Sequence, residues 1–387
     1  MKALGFFVAG LLVVDMGLGA SERPLTGQTL LAATPPMGWN SWDSYGLTVN
    51  ESEFNANADW LAKYLKAYGW TYAVIDEGWY LANPASKGKP AWQYTMDEYG
   101  RYQPAPNRFP SAVPSRGLKP LADSLHARGL KFGIHIIRGI PREAVSKNLP
   151  IADSRYHAAE AADTSDRCAW NPDNYGVKDT AAGQAYYDSL ARLYAGWGVD
   201  FVKVDCISSP YKADEIRMIS LALKRSGRPT VLSLSPGPTP LEKASEVKKF
   251  AQQWRISGDV WDHWGPWKGK DWSQGLLRQF TTAAQWAPHV EAGHWPDADM
   301  LPLGRLGPRP GEGTDRLTKF TKDEQRTMLT LWSIFRSPLM MGGDLPSNDA
   351  WTTSLLTNAE VIAVEQRSRG GRPVFTSSTA AIWVAED

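Results

Sequence analysis

Short apolar runs recur along the chain, and several of them end in polar or aromatic residues. They fall at residues 36–42, 72–77, 131–136, 201–205, 230–235, 253–257, 291–295 and 337–341. Continuous apolar runs of this kind suit parallel strands buried on both faces. Between them the apolar positions switch to helical spacing. Leu190, Leu193, Tyr194 and Trp197 follow an i, i+3, i+4, i+7 pattern, and so do Met328, Leu331, Trp332 and Phe335. Thr321-Lys-Asp-Glu324 has the form of a capping box at the start of the second helix. A further helix is predicted over 52–68, stopping at Gly69.

Strands alternating with helices predict a parallel sheet. The chain has 387 residues, enough for a (β/α)₈ TIM barrel, which needs about 250, and a small additional unit. No glycine-rich phosphate loop follows the first strand, which argues against an open nucleotide-binding sheet. Residues 78–115 and 138–176 are long connections at strand C-terminal ends, where barrels build substrate sites.

The barrel is expected over residues 30–345. Residues 1–20 read as a secretory signal: Lys2 precedes an apolar stretch, and Gly17, Gly19 and Ala20 follow it. A buried N-terminal helix is the alternative, and the stretch is too short to span a bilayer securely. Residues 346–387 are expected to hold a last helix over 349–362 and two short strands over 372–384. We read these strands as the truncated start of a C-terminal antiparallel β domain, with an exposed apolar surface near Ile382 and Trp383.

The formal net charge of +1 gives no case for a nucleic-acid or anionic-membrane partner. Eighteen tryptophans fit a carbohydrate partner, since flat rings cover the apolar faces of pyranoses. The six histidines show no zinc spacing, so no metal and no cofactor is expected. Two aspartates, Asp205 and Asp259, each close an apolar run. If they face one another across a barrel mouth, they suit cleavage of a glycosidic bond. Lys203 lies two residues before Asp205, hence on the same side of a strand, where its charge favours ionised Asp205. On residue type alone, Asp262 competes with Asp259 for the acid role. The two cysteines, Cys168 and Cys206, are either bonded or two buried thiols.

The run from Thr34 to Trp42 (TPPMGWNSW), Asp76-Glu77-Gly-Trp79, Lys203-Val-Asp205, Trp254 to Asp259, and Trp295-Pro-Asp-Ala-Asp-Met300 occur in this order. Together they resemble glycoside hydrolase family 27 of clan D, the α-galactosidases and α-N-acetylgalactosaminidases. The resemblance spans roughly residues 34–345. It implies a retaining hydrolase that removes terminal α-D-galactose, with Asp205 as nucleophile and Asp259 as acid/base. The acid role demands a proton held at the working pH, which burial near Trp261 or Trp264 would favour.

The resemblance also implies that Trp42, Asp76, Glu77, Lys203, Ser235, Arg255, Asp299 and Met300 shape the sugar site. Arg255 would bind near the 2-hydroxyl. His135 replaces a tyrosine common in the family, and it is either a substrate contact or a hydrogen-bonded core histidine. The counterpart of Cys206 is disulfide-bonded beside the pocket, and Cys168 is the only partner available.

Glu77 stands where α-galactosidases commonly have Asp. Its extra methylene would crowd the hydroxymethyl group of galactose and favour β-L-arabinopyranose, which lacks that carbon. The alternative is that a loop shift absorbs the length. The small Ser235, where many α-galactosidases carry a glutamate, would leave room for an N-acetyl group. A non-catalytic carbohydrate-binding barrel would have no need of Asp205 and Asp259 together. A hydride-transfer enzyme would need a nucleotide motif, and none is found.

Overall fold

The computed structural model describes residues 30–84, 91–112, 116–270 and 272–387. The expected signal segment lies outside these residues. Eight strands form one curled parallel sheet: β1 Met37–Asn40, β2 Tyr72–Ile75, β3 Lys131–Ile137, β4 Phe201–Asp205, β5 Val231–Leu234, β6 Gln253–Arg255, β7 Trp295–Asp297 and β8 Leu339–Met341. Their order is β7-β6-β5-β4-β3-β2-β1-β8. A parallel bridge between Leu301 and Met341 closes the ends. The bonds there run from the Leu301 amide to the Met340 carbonyl (2.8 Å) and from the Gly342 amide to the Leu301 carbonyl (3.0 Å). This is the expected (β/α)₈ barrel.

Seven of the eight expected strands fall on their observed positions to within a few residues. The seventh differs. The expected run 291–295 ends where β7 begins, because Glu291 and His294 instead exchange backbone hydrogen bonds in a tight turn (3.2 and 2.8 Å).

The two-residue period of the strands sorts the barrel interior into layers. Tyr72, Val74, Phe201, Val231 and Met340 form an apolar lower layer together with Met300. Moving two residues up each strand gives Asp76 after Val74, and Lys203 then Asp205 after Phe201. The floor is therefore apolar and the mouth is polar. Gly133 permits the close approach of β2, β3 and β4. A Cβ there would lie 2.8 Å from Val74 Cγ2 and 3.2 Å from Phe201 Cβ.

The helix expected over 52–68 is α-helical over Glu51–Trp60, then a π turn over Leu61–Leu65 and a 3₁₀ turn over Lys66–Tyr68. It stops at Gly69, whose φ of 96° suits glycine. The other two expected helices are Ala181–Trp197 and Lys322–Phe335, and Thr321 and Glu324 make the expected capping box. The last helix is split into Ala350–Leu356 and Ala359–Arg367, because the Asn358 side chain caps the second by accepting from the Glu360 and Val361 amides.

The chain closes with the antiparallel hairpin β9 Arg369–Thr376 and β10 Ala381–Glu386. The expected exposed surface is only partly present. Trp383 is buried and meets Phe335 edge-on, with ring centroids 6.5 Å apart. Val374, Phe375 and Ile382 are exposed. Among the described residues, no helix is long and apolar enough to cross a membrane.

Candidate active site

The C-terminal ends of the strands open onto a cavity of about 630 Å³, within the ~300–1,000 Å³ usual for small-molecule sites. Ten of the residues singled out from sequence line it: Trp42, Asp76, Glu77, Lys203, Asp205, Ser235, Arg255, Asp259, Asp299 and Met300. His135 and Cys206 sit behind Asp205 instead of on the cavity wall. Trp42 lies against the backbone of Gly311, where a Cβ would come within 2.4 Å of the indole.

One wall is made by side chains of β2, β3 and β4. His135 Nε2 lies 3.1 Å from Asp205 Oδ2, and the Cys206 amide donates to Asp205 Oδ1 at 2.5 Å. Lys203 Nζ lies 2.8 Å from Asp76 Oδ2, to which Asn40 Nδ2 also donates at 2.7 Å. Burial opposes charge on all of these groups, but the mutual pairing outweighs it. Lys203, His135 and local hydrogen bonds hold Asp76 well below the usual carboxylate range. The His135 bond and the Lys203 charge lower Asp205 as well. The carboxylates of Asp76 and Asp205 in turn raise His135 and Lys203. Asp205 is therefore favoured as an anion by the Lys203 charge on its own strand and the His135 bond from the neighbouring one.

The opposite wall rises from β6 and β7. Arg255 Nη2 bridges Asp259 Oδ1 at 3.1 Å and Asp299 Oδ2 at 2.8 Å. Arg255 and Asp299 are buried, whereas the Asp259 side chain is 40% exposed. The expected burial of Asp259 is thus not what the fold provides. Asp259 lies on a two-residue strand whose backbone is held by the Trp272 carbonyl, the acceptor for the Asp259 amide at 3.0 Å. Asp262, the competing acid, is withdrawn from the cavity. It accepts two bonds from Arg316 (2.9 and 2.7 Å) and one from the Lys319 amide (3.0 Å).

The third side comes from the long connection after β3. Cys168 is disulfide-bonded to Cys206, with Cα atoms 5.9 Å apart, so the bonded alternative holds. This ties the loop directly to the residue after Asp205. Three residues on from Cys168, Asn171 Nδ2 donates to Glu77 Oε1 at 2.6 Å. Burial pushes the Glu77 carboxyl up to about 7; Asp205 and Asp76 add to the rise and His135 opposes it.

Sequence reasoning missed three supports. Asn171 carries no periodic signal, since it lies in a loop. Arg138 donates to the Cys206 carbonyl at 2.7 Å, and its amide donates to the Asp205 carbonyl at 3.1 Å. Glu215 (2.6 Å) and Asp166 (3.0 and 2.9 Å) hold its guanidinium. It thereby fixes Cys206 at a φ of 60°. Asp299 is also left-handed, at 90°. Such positions cost about 1–3 kcal/mol each and persist where surrounding structure enforces them. Asp43 is the third. Its buried carboxyl lines the cavity, and burial followed by the Asp299 charge raises it well above the ordinary range, with Lys203 opposing.

Comparison with known proteins agrees with this geometry. A family model described as alpha galactosidase A matches residues 34–142 and 173–367. An alpha-galactosidase A of Cellvibrio japonicus is 30% identical over 351 residues, covering 88% of this chain and 69% of that protein. The solved structure of a GH27 β-L-arabinopyranosidase from Geobacillus stearothermophilus shares 53% identity, with a TM-score of 0.87, covering 92% of this chain and 82% of that one. A variant of that enzyme solved with arabinose matches at 52% identity and a TM-score of 0.86, over 92% of this chain and 83% of that one.

Proposed function

The chain belongs to the alpha galactosidase A family, glycoside hydrolase family 27, and on that footing we propose that it is a retaining exo-glycosidase with β-L-arabinopyranose as its preferred terminal sugar. Asp205 attacks the anomeric carbon. The bond from that carbon to the leaving oxygen breaks as Asp259 gives its proton to the oxygen, and an ester to Asp205 forms. Asp259, now a carboxylate, takes a proton from water as the water oxygen adds to the anomeric carbon. Asp205 leaves as the carboxylate that His135 and Lys203 favour. Arg255, already paired with Asp259 (3.1 Å) and Asp299 (2.8 Å), fixes the acid and offers donors to the sugar.

The observation that carries the sugar preference is Glu77. Its Oε1 is pinned by Asn171 at 2.6 Å, and its amide donates to Asp76 Oδ1 at 2.9 Å. These bonds support the reading in which the extra methylene stands against the cavity, over the one in which a loop shift absorbs it. A glycan lacking the hydroxymethyl carbon fits beside it. The 53% identity to a β-L-arabinopyranosidase supports the same choice. The second reading is the expected α-D-galactosidase, favoured by the match to the alpha galactosidase A family. One methylene is worth only about 1–3 kcal/mol, so we propose that galactosides are cleaved as slower substrates. The Cys168–Cys206 disulfide supports the proposed action of the protein in an exported, oxidising location.

The test is hydrolysis of p-nitrophenyl β-L-arabinopyranoside beside the α-D-galactopyranoside, with Asp205→Ala as control. Faster release from the arabinoside, lost in the variant, is the expected result. Faster release from the galactoside selects the second reading, and cleavage of neither overturns both.

A further inference from the structure

The chain has 18 tryptophans; among the described residues only Trp170 and Trp272 are exposed, at 51% and 46%, and both line the cavity at the barrel mouth. Large apolar rings left in water are costly, and the fold buries the others wholly or in part. The two positions are also tied to the chemistry by backbone and disulfide. The Trp272 carbonyl accepts the Asp259 amide at 3.0 Å, so its ring belongs to the side of the cavity where the leaving group receives its proton. Lys270 Nζ lies 5.1 Å from the Trp272 ring centroid and is itself paired with Glu312. Trp170 lies between Cys168, bonded to Cys206, and Asn171, bonded to Glu77. Trp92 lines the same cavity, with a buried indole N–H that has no hydrogen-bond partner in the protein.

We infer that Trp170 and Trp272 form a stacking site for a sugar ring in the leaving group, so that the protein binds that ring as well as the terminal sugar. The proposal rests on the glycosidase reading above. Two indoles present flat apolar faces to the C–H faces of a pyranose or furanose ring. The unpartnered Trp92 N–H supplies a donor for a hydroxyl. The sugar enters from solvent between two surface loops, which is why the rings stay exposed in the free protein.

The test compares two substrates that carry the same terminal sugar, whichever the enzyme cleaves faster: a disaccharide, and the corresponding glycosyl fluoride, whose leaving group has no ring. The quantity read is the ratio of their kcat/KM values, which does not depend on the fraction of folded enzyme. Trp272→Ala and Trp170→Ala should each lower the disaccharide-to-fluoride ratio about tenfold, and Trp272→Tyr should recover most of it. An unchanged ratio in both alanine variants overturns the inference. A fall confined to p-nitrophenyl glycosides, with the disaccharide unaffected, also overturns it and assigns the rings to an aromatic aglycone. Failure of the wild-type protein to cleave even the fluoride would remove the glycosidase reading itself, and this inference with it.

Discussion

The two walls of the cavity are built differently. The wall around Asp205 stands on β2, β3 and β4, and its polar groups pair with one another, a buried one with a partly buried one each time: Asp76 with Lys203 at 2.8 Å, and His135 with Asp205 at 3.1 Å. The wall around Asp259 stands on a two-residue strand and the loop that follows, and Asp259 itself is 40% exposed. The first wall is preorganised by pairing, with Asp76 and Asp205 both held below the usual carboxylate range. The second is open to water at Asp259, with the buried Arg255–Asp299 pair behind it. A retaining glycosidase needs both properties, because the sugar must be held in one geometry while leaving groups and water come and go. On the proposed function, specificity for the sugar would belong to the Asp205 wall and tolerance of the leaving group to the Asp259 wall.

Removing the acid separates the walls most sharply. Asp259→Ala should lower kcat/KM on a disaccharide by ~10²–10⁴-fold while a glycosyl fluoride, which needs little protonation, loses far less. Equal losses on both substrates would mean that Asp259 supports the site without donating a proton, and the contrast between the walls would fail.

A smaller effect should come from the Glu77 side. Its folded carboxyl is raised to about 7, whereas an unfolded glutamate titrates near 4.3. Between those values the folded protein keeps a proton that the unfolded chain has lost. Stability from this group therefore falls as pH rises from about 4.3 to about 7, and levels off above that. Asp76 is shifted downward, so its window lies at lower pH and does not overlap. Glu77→Gln should flatten the slope of stability against pH in this window, by at most a few kcal/mol across it. Urea unfolding at a series of pH values would show it, and an unaltered slope would rule out a protonated Glu77.

The same contrast explains what could be read in the sequence. β4 is legible residue for residue at 201–205, because Val202 and Val204 make one apolar face while Phe201, Lys203 and Asp205 run from apolar to charged along the other. Ten cavity residues follow from the motifs that carry the family resemblance, and for Lys203 and Asp205 the two-residue strand period independently places both side chains on one face. The misses lie where no period operates. Asn171, Trp170 and Trp272 sit in loops, and their places depend on the disulfide and on backbone bonds between distant segments. Arg138 looks like an ordinary loop cation until Cys206 is seen in its left-handed conformation. Asp43 falls in a short helix after β1, where an acidic residue in the first turn is unremarkable. β7 was expected too early because the residues before Trp295 turn back on themselves. Trp383, expected to be exposed, finds a partner in Phe335 on a barrel helix, a long-range contact that no local pattern encodes.

The claim that the Asp205 wall reads the sugar through the length of one side chain is tested most directly by Glu77→Asp. The quantity to measure is the ratio of kcat/KM for the β-L-arabinopyranoside to that for the α-D-galactopyranoside. Removing one methylene beside the space for the hydroxymethyl group should shift the ratio toward the galactoside by about 10–200-fold. A ratio that stays put, or moves toward the arabinoside, would contradict the account and leave the sugar preference to residues other than Glu77.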